Sequence, residues 1–319
     1  MPAFPKPQFA YRYVVPDEIK ALRQWRDTEP GRAIPAKAAN RLLVATWNLA
    51  NFGVQERRDS DYQIIAEMLS WFDVAALQEV NENRAGLLAL QKFLPGKFAA
   101  VFSDSAGNNE RMVFLYDRNK LTLLEQIGEI ALAPSELDDV KLDGVTEKFT
   151  GFDRNPYLVG FKAGGFSFLL VNVHLYFGKE DEAASIHRRC LEAYAVARWA
   201  DLNVKSKYAY SRDIIVLGDF NLPKVSPTDP IYRALTQRGL QLPPHSTQIA
   251  SAIASDSHYD QLAFFPSQTK QDFTGQCGVY DFDGAVFKSL WQTKTAAQFR
   301  AYVRYYLSDH RPLWAEFKI

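Results

Sequence analysis

Apolar runs that stop abruptly at an acid, an amide or an imidazole recur along this chain, and that recurrence constrains the fold more than any single motif. The run Ile214–Ile215–Val216–Leu217 leads into Gly218–Asp219–Phe220–Asn221. Four consecutive apolar residues predict a buried strand, and the polar segment after them predicts its exit from the sheet. Asp and Asn are poor strand formers and are costly to bury without partners. The same arrangement occurs at Leu42 to Asn48 (with Gly53 shortly after), at Val74 to Glu79 and at Phe168 to His174. A fifth run, Tyr305–Tyr306–Leu307, is read as a strand ending in Ser308–Asp309–His310, ahead of a last strand from Pro312 to Phe317. Tyr259 to Phe265 is the reverse case, with Asp260 at the strand start. Taken singly, each polar end is an ordinary turn, rim acid or satisfied core histidine. Taken together they collect on one rim of a sheet.

That rim has a definite chemistry. Two or three carboxylates with carboxamide oxygens form a hard-oxygen site suited to Mg²⁺ or Mn²⁺. Zinc fits poorly, because Cys190 and Cys277 are unhelpfully placed and no His-x₃-His spacing occurs. Two histidines beside such a cation supply proton transfer near neutral pH. With no nucleophilic Ser or Cys motif, the combination points to water attacking a phosphate ester.

Elsewhere the pattern alternates. Residues 1–40 carry several prolines around one expected helix, Asp17 to Arg26, and are read as an N-terminal extension packed on the outside. Helices are expected over 61–72 and Asn83 to Phe93, and strands over Met112 to Tyr116 and Leu121 to Leu132. Pro134 to Phe152 reads as a loop. Pro156 to Phe161 is expected to pair with Phe166 to Val173 through a Gly164–Gly165 turn. The clearest helix covers 181–203 and carries His187 as a surface or packing residue; another runs from Ile231 to the Gly239 stop. His245 and His258 fall in polar loops. No linker, repeat or low-complexity tract divides the chain, so residues 41–319 are read as a single catalytic domain. Its class is α/β, with two mixed β-sheets covered by helices. A hydrophobic fraction of 47%, with 22 Phe and 15 Tyr, suffices for the large core that this requires.

The order of motifs resembles the endonuclease/exonuclease/phosphatase superfamily. The segments concerned are Trp47–Asn48, Gln78–Glu79–Val80, Asn172–Val173–His174, Gly218–Asp219–Phe220–Asn221, Tyr259–Asp260 and Ser308–Asp309–His310–Arg311–Pro312. The likeness runs from about Leu42 to Phe317 and looks nearest to the deoxyribonuclease I-like branch. It implies a four-layer α/β sandwich, the two sheets packed face to face and flanked by helices, with the cleft along one edge. It also implies roles. Glu79 is the first choice as metal ligand, with Asn48 and Asp309 beside it. Asp260 would orient His310, and Asp219 with Asn221 would position or deprotonate water. Two candidates for the base follow, the His310–Asp260 pair and Asp219. His174 would bind a phosphate oxygen or protonate the leaving group. Glu110, in Asn109–Glu110–Arg111–Met112, matches the partner of that histidine, and Arg154 in Arg154–Asn155–Pro156 matches a phosphate-contacting arginine.

Some positions depart from particular branches. Ala50 stands where apurinic-site endonucleases carry Asp, and His174 where they carry Tyr. No Arg follows Gly218–Asp219–Phe220–Asn221–Leu222–Pro223, as it would in inositol phosphatases. His174–Leu175–Tyr176 replaces the His-Thr-Gln of sphingomyelinase-like members. The leading expectation is a phosphodiesterase or endonuclease acting on nucleic acid with Mg²⁺ (or Mn²⁺). A phosphatase or phosphodiesterase acting on a small or lipid phosphate is the alternative, and an inactive binding module is a third. With 37 basic and 37 acidic residues the chain has no broad positive field, which counts against tight nonspecific nucleic-acid binding. No signal peptide or membrane-spanning run is expected, and the two cysteines suggest no disulfide. A cytoplasmic monomer is expected.

Overall fold

The computed structural model describes residues 3–179, 181–247 and 249–319, so the first two residues of the expected extension lie outside the described residues. In chain order the strands are β1 (Arg41–Phe52), β2 (Val74–Asn81), β3 (Phe98–Phe102), β4 (Glu110–Asp117), β5 (Thr122–Glu129), β6 (Tyr157–Ala163), β7 (Phe166–His174), β8 (Ile214–Asp219), β9 (Asp260–Phe264), β10 (Phe273–Val279) and β11 (Leu313–Lys318). The helices are α1 (Val15–Thr28), α2 (Asp59–Ser70), α3 (Ala85–Gln91), α4 (Pro134–Leu137), α5 (Ala183–Lys205), α6 (Pro230–Thr236), α7 (Pro266–Thr269), α8 (Lys288–Thr293) and α9 (Ala296–Tyr306). One sheet has the order β10-β11-β1-β2-β4-β3 and the other β5-β6-β7-β8-β9. Both are mixed, since β1 lies parallel to β2 and β7 parallel to β8 among otherwise antiparallel pairs.

Side-chain alternation explains why the strands read as unbroken apolar runs. Leu42 and Val44 of β1 meet Ile215 and Leu217 of β8 in the core between the sheets. Their neighbours Leu43 and Ala45 face outward against Ile65 and Leu69 of α2. On the other sheet Ile214 and Val216 face Ala193, Val196 and Ala197 of α5. Strands covered on both faces need apolar residues at every position. The result is the expected four-layer sandwich of helices, sheet, sheet and helices. Behind the rim a buried polar link ties the sheets together. The Gln78 amide nitrogen donates to Thr46 Oγ1 at 3.0 Å and to Asn172 Oδ1 at 2.6 Å. Asn172 in turn donates to the carbonyls of Leu77 and Val113. This buried hydrogen-bonded link fixes the register beside Glu79 and His174.

Several segments differ from the sequence expectation, β3 and α8 among them. Tyr305 to Leu307 is no strand, because Tyr305 and Tyr306 close helix α9. Thr295 and Gln298 form its capping box, and Phe299, Tyr302, Val303 and Tyr306 bury one face at helical spacing. Asp309 and His310 are therefore delivered by the turn between α9 and β11. Pro134 to Phe152 is more than a loop. It holds α4, and Val140 and Phe149 pack against Leu191 and Ala195 of α5. Strand β10 was hidden by a register shift between Phe273 and Cys277, which breaks the period-two pattern. The expected surface place of His187 is what the structure has, with Nδ1 2.6 Å from Glu147.

Candidate active site

Strand pairing brings the polar ends together. His174 of β7 is opposite Asp219 of β8, which is opposite Asp260 of β9. Gly218 makes this approach possible: at φ +142° a Cβ there would lie 2.0 Å from the Val173 carbonyl oxygen. The rim also holds unusual backbone. Ala50, Asn51, Glu79 and Asn221 have φ between 47° and 59°. Left-handed conformations at non-glycine residues each cost about 1–3 kcal/mol and persist where surrounding structure enforces them.

Two imidazoles face Asp219 from different sides. His310 Nδ1 is 2.7 Å from Asp260 Oδ2, and its Nε2 is 3.9 Å from Asp219 Oδ2. Asp260 is fully buried and donates its own N–H to the Ser251 hydroxyl oxygen at 2.9 Å. Burial would lower the His310 pKa, but Asp260, Asp219 and Asp309 outweigh it and hold the imidazole well above its ordinary value. Burial likewise raises the Asp260 carboxyl, and the opposing pull of His310 does not bring it back. Ser308 fixes this turn: its hydroxyl donates to the Asn48 carbonyl at 2.6 Å and accepts the His310 N–H at 2.9 Å.

The second imidazole has its own acid. His174 Nδ1 is 2.7 Å from Glu110 Oε1, while Nε2 is 3.7 Å from Asp219 and 4.0 Å from Glu79. Burial and Arg154 push His174 down, yet Glu110 and Asp219 prevail and its pKa is raised. Glu110 moves the other way: burial would raise it, but His174 and Arg154 hold it below the usual carboxylate range. Arg154 is the base of this column. Its Nε is 2.9 Å from Glu110 and donates to the His174 carbonyl, and its other nitrogens reach Leu175 O and Asp153. At 3% exposure its guanidinium is spent on the protein, so the residue expected to grip phosphate instead holds His174 and Glu110 in place.

Glu79, Asn48 and Asp309 form the acidic side. Asn48 donates its amide nitrogen to Glu79 Oε1 and to Asp219 Oδ2, each at 3.0 Å, while its oxygen accepts the Ala50 N–H. Glu79 Oε2 accepts the Asn51 N–H at 2.7 Å. Burial, with Glu110 and Asp309 nearby, raises the Glu79 carboxyl. Asp219 stays below its ordinary value: burial opposes this, but His310, His174, Asn48 and the Asn221 N–H outweigh it. The donor set suits a hard divalent cation, since Glu79, Asp219 and Asp309 share one cleft with no free Lys or Arg in its lining. Asp219, Asp260 and His310 also present donors within 4.8 Å of one another. Asp260 and His310 are already engaged with each other, which suits proton transfer better than ligation. Asn48 would have to turn its amide to offer oxygen.

The cleft holds about 610 Å³ and brings together Glu79, Arg154, His174, Asp219, Asn221, Asp309 and His310. Asn221 donates to the Leu175 carbonyl at 2.7 Å. Asn48, Glu110 and Asp260 lie behind this lining as partners of those that face it. Trp47 and Ser308 stand inside two of the motifs without an assigned role, and both act as supports: Trp47 donates its indole N–H to the His310 carbonyl at 2.7 Å, and Ser308 holds the turn. His245 and His258 lie together at a separate cavity with Lys224 and Asp256.

No protein-family model matches the chain, and no curated protein does. Solved structures do. An endonuclease/exonuclease/phosphatase family protein from Bacteroides thetaiotaomicron superposes with TM-score 0.57 at 19% identity, over 88% of this chain and 95% of that one. Mannosyl-6-phosphatase of the same organism gives 0.55 at 21%, over 86% and 99%. D. rerio TDP2 complexed with a single-strand DNA product gives 0.55 at 14%, over 88% and 99%. At these identities the likeness defines the architecture: the chain has the endonuclease/exonuclease/phosphatase fold, as the motif order implied.

Proposed function

We propose that this protein is a divalent-metal-dependent phosphoesterase. One observation carries the reading: two imidazoles, each held by its own buried carboxylate, converge on Asp219 in a cleft whose acidic side is Glu79 and Asp309. Glu79 and Asp309 would hold Mg²⁺ or Mn²⁺. When bound, that cation supplies Lewis-acid polarisation of the phosphoryl oxygens and offsets charge on the leaving alkoxide. The protein's own groups do the rest. Asp260 binds Nδ1 of His310 and leaves Nε2 facing Asp219, so a water between them can be oriented and deprotonated by that unit. Glu110 binds Nδ1 of His174 in the same way, leaving Nε2 to bind a phosphoryl oxygen or protonate the departing oxygen. Arg154 positions that pair.

For the substrate we favour a phosphodiester held at few points. The lining includes no lysine, and its one arginine is consumed. A nucleic acid would then be bound through the reacting phosphate and a neighbour or two, with a correspondingly shallow salt dependence. The same lining favours a second reading, a phosphatase or phosphodiesterase acting on a small phosphate ester. Neighbours of both kinds share the fold, TDP2 with single-strand DNA and mannosyl-6-phosphatase. A panel of plasmid DNA, RNA, bis-p-nitrophenyl phosphate and p-nitrophenyl phosphate, each with Mg²⁺, separates them. Diester cleavage without monoester cleavage supports the first reading; the reverse replaces it with the second; no turnover of any ester overturns both.

A further inference from the structure

The walls of the cleft differ from its floor. Below lie Glu79, Asp219, Asp309 and His310; around the rim stand Phe4, Tyr176, Phe177 and Tyr259. Three of these rings come from loops of the catalytic core. Phe177 meets Tyr259 edge-on at 6.0 Å, and Tyr259 lies 5.9 Å from the His310 ring. Phe4 does not belong to that core. It comes from the segment ahead of α1 and β1 and reaches back over the molecule to the site.

Several contacts hold it there. The Phe4 N–H donates to Gln55 Oε1 at 3.2 Å, and the Gln55 amide nitrogen donates to the carbonyls of Ala50 and Tyr305. Those carbonyls belong to the two segments that carry Asn48 and Asp309. The Arg304 guanidinium lies 4.2 Å from the Phe4 ring centroid, and Lys6 pairs with Glu56 at 2.7 Å. Farther along, Tyr13 donates to Asp61 at 2.6 Å and Arg58 to the Tyr11 carbonyl at 3.0 Å. The segment is thus held to the residues leading into α2, to α2 itself and to α9, yet the Phe4 ring stays only half-buried and lines the cleft.

Resting on the phosphoesterase reading, we infer that Phe4 is a specificity-determining residue whose ring completes an aromatic rim for a planar aromatic group carried by the substrate's phosphate. A phosphate bound by the floor places its organic substituent at the level of the rings. Aromatic faces attract planar π systems there without requiring any charge, and this lining offers no lysine to recognise a second phosphate. The segment before the core is then part of the substrate site, and not only packing on the outside.

The test uses the full chain with Mg²⁺ and measures binding of phenyl phosphate and methyl phosphate by calorimetry. These probes share the same charge and differ in the ring. Wild type should bind phenyl phosphate several-fold more tightly. Phe4→Ala should lose three- to tenfold in phenyl phosphate affinity while methyl phosphate stays within twofold, and Phe4→Tyr should restore the preference. Equal losses on both probes, an unchanged preference in Phe4→Ala, or no preference in wild type would each overturn the inference. Turnover of bis-p-nitrophenyl phosphate by wild type, measured alongside, judges the phosphoesterase reading separately. An inactive protein whose phenyl preference depends on Phe4 defeats that reading alone; an active protein without that dependence defeats only the inference.

Discussion

In a Gly218→Ala variant the added Cβ would sit 2.0 Å from the Val173 carbonyl oxygen and 2.7 Å from the Val173 nitrogen, both backbone atoms of the adjacent strand. Relief requires β7 and β8 to part by more than ~1 Å, because carbon–oxygen contacts are strongly repulsive well beyond those distances. The strands carry His174 and Asp219 opposite each other at this point, so the separation falls on the site itself. Left-handed strain adds ~1–3 kcal/mol, and each ladder hydrogen bond lost costs about 1 kcal/mol. The sum is roughly 3–5 kcal/mol, a large part of the ~5–15 kcal/mol that stabilises a typical native protein. Where the variant still folds, a ~1 Å misplacement of reacting groups should lower kcat by about 10²-fold. Urea unfolding followed by tryptophan fluorescence gives the first quantity, and initial rates on bis-p-nitrophenyl phosphate with Mg²⁺ give the second. A variant within 1 kcal/mol and about threefold in rate of wild type would refute the claim that Gly218 is required by strand approach.

Other expectations follow from the same geometry. His310→Ala and His174→Ala should each lower kcat by ~10²-fold or more, the usual scale of acid–base groups, while His187→Ala stays within a few-fold; damage from His187→Ala alone would misplace the site. Arg154→Ala should destabilise the fold by ~3–5 kcal/mol, because buried Glu110 loses its permanent cation. A stable Arg154→Ala protein with weakened substrate binding would instead restore a direct phosphate contact. Burial, aided by His258, lowers His245 from 6.5 to about 4. A depressed folded-state pKa gives stability that is complete above about pH 6.5 and is lost as pH falls toward 4, by up to ~3 kcal/mol. His245→Gln should therefore flatten the fall in urea stability between neutral pH and pH 4.5. An unaltered pH profile would show that His245 titrates normally.

Much of this arrangement was legible in the sequence, for a reason that lies in the strands. A strand buried on both faces must be apolar throughout, so the first polar residue marks its exit, and Asn48, Glu79, His174 and Asp219 gather at the cleft from such positions. Asp309 and His310 line the same cleft, although the element ahead of them is a helix and not the expected strand. Tyr305, Tyr306 and Leu307 are adjacent apolar residues, and only the wider spacing of Phe299, Tyr302 and Tyr306 shows the helix. Arg154 illustrates a different failure. Its type suggested phosphate, but only three-dimensional structure reveals that its donors face Glu110, Asp153 and two carbonyls. Phe4 carried no signal, because nothing local distinguishes a ring that packs from one that travels back to the cleft.

The central claim is that the acidic side of the cleft works through a divalent cation while His310 and Asp260 handle the proton. It is tested most directly by stripping the protein with EDTA, confirming metal removal by elemental analysis, and measuring bis-p-nitrophenyl phosphate turnover before and after adding Mg²⁺ or Mn²⁺. Glu79→Gln and Asp309→Asn are run in parallel. The expected result is loss of turnover on stripping, recovery with either ion, and a higher ion concentration for half-recovery in both variants, because each gives up one anionic oxygen ligand. Undiminished turnover by the metal-free protein, or variants that recover at the wild-type ion concentration, would contradict it.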